Sequence, residues 1–318
     1  MVSRYRLMEI RKERLVEVSG NIKDYKDYDA YYLDSELYKF ILYKPRGVDI
    51  DGIRVKNGKI PQKLYVSLSD RIHYASRHQQ RYNAELKTVL KANNPVKSKR
   101  VLKKALDLSL TTPSPEILQH LGRTLDVIVE GYLANPEIVK NMIDIATKDY
   151  STSAHSVNVM LYCLSYARAA GFSLEKLKLF GLIGLLHDVG KTRVPDNILK
   201  APRKLNPDEF ETITMHPDHG FGILSQTKLD RKIRTVALQH HERLDGSGYP
   251  KRPNQKDLLP ESMALAIIDT YEALTNWRPY KYPIDPIKAL HIIKKDVLRG
   301  RLDEEAFRTF AQSLVGSR

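Results

Sequence analysis

Five histidines, His155, His187, His216, His240 and His241, run through the middle and later part of this 318-residue chain, accompanied by Asp188 and Asp269. Imidazole and carboxylate are the ligands that Zn, Fe and Mn take. Each candidate lies on or at the end of a predicted helix, and helical bundles build metal sites in this way. Four of the candidates form two adjacent pairs, His187-Asp188 and His240-His241. Neighbours on a helix point about 100° apart, because about 3.6 residues complete a turn. Such a pair suits two adjacent ions better than one, and an Asp can bridge them with its two oxygens. Two-metal sites hold their ions ~3.5–4 Å apart and activate water for attack on phosphorus. The plain alternative, a set of surface or hydrogen-bonded helix histidines, is not excluded by spacing alone.

The elements that must carry these residues are mostly helices. Residues 1–69 are the exception and read as a small α+β domain. This segment is rich in Tyr, with turn signals at Gly20-Asn21, Pro45-Arg46-Gly47, Asp51-Gly52 and Asn57-Gly58. Leu37–Tyr43 and Lys63–Leu68 read as strands. Ser69 and Asp70 are candidate N-caps for a following helix, which Asn93-Asn94-Pro95 breaks. A second helix covers Val96–Leu110, and the two form a helical linker over 70–113. The run Thr111-Thr112-Pro113-Ser114-Pro115 marks the boundary of an all-helical domain over 114–318. Its segments fall near 116–133, 136–148, 153–170, 174–189, 207–215, 218–226, 230–241, 261–275, 286–297 and 303–314. The fold class is mainly α.

Composition narrows the function classes. Hydrophobic residues make up 42% and charged residues 28%, which excludes collagen-like and wholly disordered chains. The lone Cys163 excludes an internal disulfide framework and a multi-thiolate metal site; it reads as a core residue. The first residues are charged and lack a signal peptide's apolar run. The longest apolar run, Leu179–Leu186, is too short for a bilayer, which takes ~20 residues. These features suggest a soluble, cytoplasmic protein. The net charge is +14, and residues 51–104 hold 14 Lys and Arg against 3 Asp and Glu. Such a band attracts anions, although a solvated helix face accounts for it as simply. Without a DNA-binding motif, a nucleic-acid partner is not expected.

Two strings sharpen the reading. Leu186-His187-Asp188-Val189-Gly190-Lys191 resembles the HD-x-GK motif of HD-superfamily phosphohydrolases. His240-His241-Glu242-Arg243-Leu244-Asp245-Gly246-Ser247-Gly248-Tyr249-Pro250 resembles the HHE-xx-DG-x-GYP signature of the HD-GYP family. The likeness extends over about 147–297 and includes His155-Ser156-Val157, Met215-His216-Pro217, Asp269-Thr270-Tyr271-Glu272-Ala273-Leu274-Thr275 and Arg278-Pro279-Tyr280.

The resemblance implies a bacterial cyclic-di-GMP phosphodiesterase with two or three metal ions, commonly iron, with Mn or Zn as substitutes. It implies metal ligation by His155, His187, Asp188, His216, His240, His241 and Asp269. Lys191 would meet the scissile phosphate, Arg278 and Lys281 the ligand's phosphates, and Asp149 a guanine edge. Tyr249, in the loop Gly248-Tyr249-Pro250, offers a ring for stacking and a hydroxyl for phosphate. Family members with three ions carry a glutamate one turn before the first His; Ser151 stands there instead and favours two. Glu272 replaces a frequent Asp, and Ala201-Pro202-Arg203 replaces a frequent Lys-Pro-Gly. Gly190 is expected to end its helix as a C′ glycine does. The implied reaction is attack of a metal-bridging hydroxide, opening cyclic-di-GMP to the linear dinucleotide pGpG or onward to GMP. The alternatives are a weakly active or inactive dinucleotide-responsive adaptor, or a metal phosphohydrolase for another nucleotide. A protein partner could dock on the GYP loop or the N-terminal domain, and a homodimer is possible.

Overall fold

The computed structural model describes residues 15–18, 25–48, 63–145, 149, 151–277 and 282–315. Two compact units divide between His78 and Gln79.

The first unit holds a four-stranded antiparallel sheet of β1 (Leu15–Glu17), β2 (Ala30–Asp34), β3 (Lys39–Lys44) and β4 (Tyr65–Ser67), in the order β1-β4-β2-β3. The β2–β3 turn is an Asx turn: Asp34 Oδ1 accepts the N–H groups of Glu36 at 3.0 Å and Leu37 at 2.9 Å. Tyr38 closes the turn with φ 50°. The strand expected from Leu37 therefore starts at Lys39, because Leu37 and Tyr38 belong to the turn. Helix α1 (Leu68–Lys91) follows β4 directly. Its cap is Ser67, whose Oγ accepts the Asp70 N–H at 3.0 Å, and not Ser69 or Asp70. Two cations of the basic band's neighbourhood are buried here. Lys44 donates from Nζ to the Lys26 and Tyr28 carbonyls at 2.8 Å. Arg71 donates to the Tyr25 hydroxyl, and Tyr25 stacks on Tyr74 at 4.3 Å. The turn signals at Gly20-Asn21, Asp51-Gly52 and Asn57-Gly58 lie outside the described residues.

The second unit is helical. After α1 come α2 (Pro95–Thr111), α3 (Pro115–Ala134), α4 (Glu137–Asp144), α5 (Thr152–Ala169) and α6 (Leu174–Leu186). A 3-10 turn over Val189–Arg193 leads to α7 (Asp196–Leu199), α8 (Pro207–Thr214), α9 (His216–Leu224), α10 (Arg231–Gln239), α11 (Pro260–Thr275), α12 (Pro286–Leu298) and α13 (Glu304–Val315). Prolines open several of these helices at a position that needs no N–H donor, and Asn94, Ser114, Ser151, Ser173 and Asn206 cap N-termini with side-chain acceptors. Helix α5 is buried on every side, with 15 of its residues buried, polar ones such as His155 and Asn158 among them. It packs against α2, α4, α6, α11 and α13. Cys163 is fully buried on it, and burial pushes its thiol pKa up. Lys99 of α2 is also buried; it donates to the Met142 and Ile145 carbonyls at 2.9 and 2.8 Å, closing the C-terminus of α4. Among the described residues no helix is long and apolar enough to cross a membrane.

Four helices end two or more residues earlier than periodicity predicts, those expected over 218–226 and 230–241 stopping at Leu224 and Gln239. The helix expected over 136–148 stops at Asp144, and the one expected over 174–189 stops at Leu186. The ending at Leu186 releases His187 and Asp188 from the helix.

Candidate metal centre

The His-Asp and His-His pairs are not mid-helix neighbours. His187 caps the C-terminus of α6, and His240 caps that of α10. A helix C-terminus leaves carbonyls without intrahelical donors. His187 Nδ1 meets the Gly184 carbonyl at 3.0 Å, and His240 Nδ1 meets the Ala237 carbonyl at 2.8 Å. At the end of α8, His216 Nδ1 meets the Ile213 carbonyl at 2.6 Å. In all three the acceptor stands three residues back. A carbonyl can only accept, so Nδ1 carries the proton and Nε2 presents its lone pair. His155 reaches the same tautomer through a carboxylate: its Nδ1 donates to Glu272 Oε2 at 2.5 Å, while Asn158 Nδ2 donates to Glu272 Oε1 at 2.8 Å.

The four Nε2 atoms then face one another. His187 and His155 approach to 3.3 Å, as do His216 and His240. Two lone pairs at that distance cannot satisfy each other; a cation between them can. The carboxylates fit the same need. Asp188, buried to 1% side-chain exposure, lies with Oδ2 3.4 Å from His155 Nε2 and 3.5 Å from His187 Nε2. Its Oδ1 is 3.2 Å from His216 Nε2 and 3.7 Å from His240 Nε2. That Oδ1 accepts no hydrogen bond among the described residues. Asp269 Oδ1 is 3.0 Å from His155 Nε2. The potential ligand atoms form two groups, Asp188 with His216, His240 and His241, and His155 with His187 and Asp269, each with its atoms within 4.8 Å. The donor set therefore fits divalent cations, and all seven expected ligand residues are brought together.

Burial raises the Asp188 carboxyl, but Lys191 and His187 outweigh it and hold its pKa well below the usual carboxylate range. Asp269 is likewise held well below the usual carboxylate range, with burial opposed by the neighbouring imidazoles, His155 first and then His241 and His187. Burial lowers the pKa of His216, His240 and His241 below the ordinary 6.5. An unfolded chain binds protons near pH 6.5 that these native rings resist. The stability they contribute is thus complete above that pH and is lost as pH falls towards their lowered native values. The metal-stripped protein should melt at progressively lower temperature from pH 7.5 to 5.5; thermal scans in chelator showing no decline over that interval would contradict the burial argument.

Gly190 does not adopt the left-handed conformation of a C′ glycine, which corrects the reason expected for it. A Cβ there would stand 1.9 Å from the His216 carbonyl oxygen and 2.5 Å from the Gly220 nitrogen. Its hydrogen atom is what lets the turn after Asp188 lie against α9. Lys191 Nζ contacts Asp188 Oδ2 at 2.5 Å and keeps 18% side-chain exposure. Ser151 caps α5 with its hydroxyl, one turn before His155. Tyr249 stacks on His241, with ring centroids 4.7 Å apart. Burial, then Asp269 and Asp188, raises its phenol pKa. Asp149 is not in the cluster: its Oδ1 accepts the Ser151 N–H at 2.9 Å, and its Oδ2 pairs with Lys103 at 3.2 Å. Arg278 and Lys281 lie outside the described residues. Sequence reasoning passed over Glu272 and Asn158 as site residues. Each stands three positions after a candidate ligand on the same helix, which is the signal that could have found them.

Known proteins agree with this architecture. The family model described as HD domain matches residues 137–306. The chain is 33% identical over 196 residues to a cyclic di-GMP phosphodiesterase of Pseudomonas aeruginosa, covering 61% of this chain and 47% of that protein. It is 34% identical over 179 residues to the 3'3'-cGAMP-specific phosphodiesterase 1 of Vibrio cholerae, covering 56% and 41%. It thus spans less than half the length of either relative. Bd1817, an HDG"Y"P protein from Bdellovibrio bacteriovorus, has a similar fold, with a TM-score of 0.62 at 20% identity over 95% of this chain and 100% of that one. With more than half of its length matched by the HD domain model, and with His187–Lys191 and His240–Pro250 at its centre, this chain belongs to the HD domain family, in its HD-GYP branch.

Proposed function

We propose that this chain is a metal-dependent phosphodiesterase that hydrolyses a cyclic dinucleotide, cyclic-di-GMP first among them. The carrying observation is Asp188, which turns one carboxylate oxygen to each of two groups of inward-facing imidazole nitrogens. His155, His187 and Asp269 would hold one divalent ion, and His216, His240 and His241 a second, with Asp188 shared. The histidine-rich donor set suits iron, and Mn or Zn would serve in its place. Bound there, two such ions neutralise a phosphodiester's charge and make water acidic enough to attack it near neutral pH.

The chain's own residues do the rest. Glu272 and the helix-end carbonyls fix the rings of His155, His187, His216 and His240 before substrate arrives, so these need not reorganise during reaction. Lys191, itself partly exposed, places a positive charge beside buried Asp188, where phosphoryl oxygens gain charge in the transition state. Hydrolysis adds one water across one P–O bond and yields the linear dinucleotide; a second yields mononucleotides. Asp149 is an acceptor suited to the N–H groups of a guanine edge, and Arg278 and Lys281 are cations for the substrate's phosphates.

The test is turnover of cyclic-di-GMP, and of 3'3'-cGAMP beside it, by iron- or manganese-loaded protein. Lys191→Ala should keep its metal and lose turnover by ~10²–10³, the cost of removing one preorganised charge contact. An unchanged kcat in that variant would remove Lys191 from the reaction, and wild-type protein that cleaves neither dinucleotide would refute the assignment.

A further inference from the structure

His241 differs from the other four rings. Each of those has its Nδ1 hydrogen-bonded to a carbonyl or carboxylate. The His241 ring makes no hydrogen bond among the described residues; its Nδ1 is 3.9 Å from Asp269 Oδ2. What it has is Tyr249, stacked on it with an interplanar angle of 29°.

Tyr249 is in turn held by its loop. The loop lies directly on the backbone beneath: a Cβ on Gly248 would come within 2.5 Å of the His241 carbonyl oxygen, Glu242 Cα and the Arg243 nitrogen. Its far end is tied by Glu242, a buried carboxylate whose Oε1 accepts the N–H groups of Lys251 at 2.6 Å and Arg252 at 3.0 Å. Arg252 sits at φ 51°, an unfavourable conformation for a side chain with a Cβ, and successive N–H groups in such a turn form a cradle for an anion. Arg252 Nε closes the loop on the Gly248 carbonyl at 3.1 Å.

We propose that Glu242 is a positioning residue for His241, acting through the loop and the ring of Tyr249. The carboxylate anchors the loop, the loop presses Tyr249 onto His241, and stacking replaces the hydrogen bond that orients each other ring. This rests on His241 being a metal ligand in the function proposed above. It assigns the third letter of the His240-His241-Glu242 string a task through the string's last residues, and makes the tyrosine's ring, not its hydroxyl, the working part.

The experiment is calorimetric titration of the full, metal-stripped chain with manganese(II). Glu242→Ala and Tyr249→Ala should each weaken binding at one site by ~10–100-fold, the usual cost of losing a ligand's orienting contact. The double variant should lose no more than either single, since both break one chain of contacts. Glu242→Gln, which keeps an acceptor oxygen, and Tyr249→Phe, which keeps the ring, should bind close to wild type. Tyr249→Ala leaves the anchor intact and guards against misfolding of Glu242→Ala. Additive losses in the double variant, or Tyr249→Phe as damaging as Tyr249→Ala, would overturn the proposal. If wild type binds manganese and Glu242→Ala binds it equally well, only the positioning role falls; if wild type binds none, the metal reading falls with it.

Discussion

Asp188→Ala should empty the centre of metal and abolish turnover together. Asp188 offers one oxygen to each ligand group, at 3.4 Å from His155 Nε2 and 3.2 Å from His216 Nε2, whereas Asp269 comes no nearer than 3.9 Å to His241 of the second group. Removing Asp188 leaves two adjacent cations facing neutral imidazoles, with only Asp269 as counter-charge. Breaking a buried charge interaction by deleting one partner costs about 3–5 kcal/mol. Applied to metal binding, that is a loss of about two to four orders of magnitude in affinity. Elemental analysis of anaerobically purified protein should fall from about two ions per chain to fewer than one. His241→Ala, by contrast, should spare the ion held by His155, His187 and Asp269. An Asp188→Ala protein that keeps both ions would show that the carboxylate does not join the two groups.

Gly190→Ala should be almost as damaging without touching a ligand. The added methyl would meet the His216 carbonyl oxygen at 1.9 Å and the Gly220 nitrogen at 2.5 Å. Both are backbone atoms, so no rotamer change relieves the clash; the turn and α9 must separate. Overpacking in a close-packed interior typically costs about 1–3 kcal/mol, and a backbone collision belongs at or above the upper end. The separation also draws Asp188 away from His216. Urea unfolding should show the lost stability, and metal titration a weakened site on the His216 side. A variant with wild-type midpoint and wild-type metal affinity would mean that the turn is free to shift.

The seven candidate ligands were legible in the sequence because imidazoles in adjacent pairs are rare and because two strings around them are so specific. The reason for their geometry was not. Periodicity carries a helix through to 189, since Val189 continues the apolar pattern, yet α6 ends at Leu186 when the His187 ring takes a carbonyl that the next turn would have used. Gly190 reads as a helix terminator, but what demands it is the backbone of α9, about 26 residues further on and invisible to local pattern. Glu272 looks like a conservative exchange; only the crossing of α5 and α11 brings it to His155, 117 positions away. In the first unit, Asp34 and Ser67 redirect the backbone with their side chains, moving β3 and α1 from where hydrophobic pattern alone puts them. The basic band divides between exposed cations and cations such as Lys99 and Arg71 that are spent inside the protein on carbonyl and phenol oxygens.

The histidines that close α6, α8 and α10 have a thermodynamic consequence. Their outer nitrogens complete helix ends while their inner ones face the centre, so one set of rings belongs both to the scaffold and to the cargo site. Folding and metal loading are then linked equilibria. Each ion bound by the native state alone adds about 2.7 kcal/mol at a free concentration one hundred times its dissociation constant. That is a sizeable share of the 5–15 kcal/mol that holds a typical domain folded. Metal scarcity would therefore act on how long the molecule survives as well as on whether it works, and the amount of this protein in a cell would track the supply of its ion.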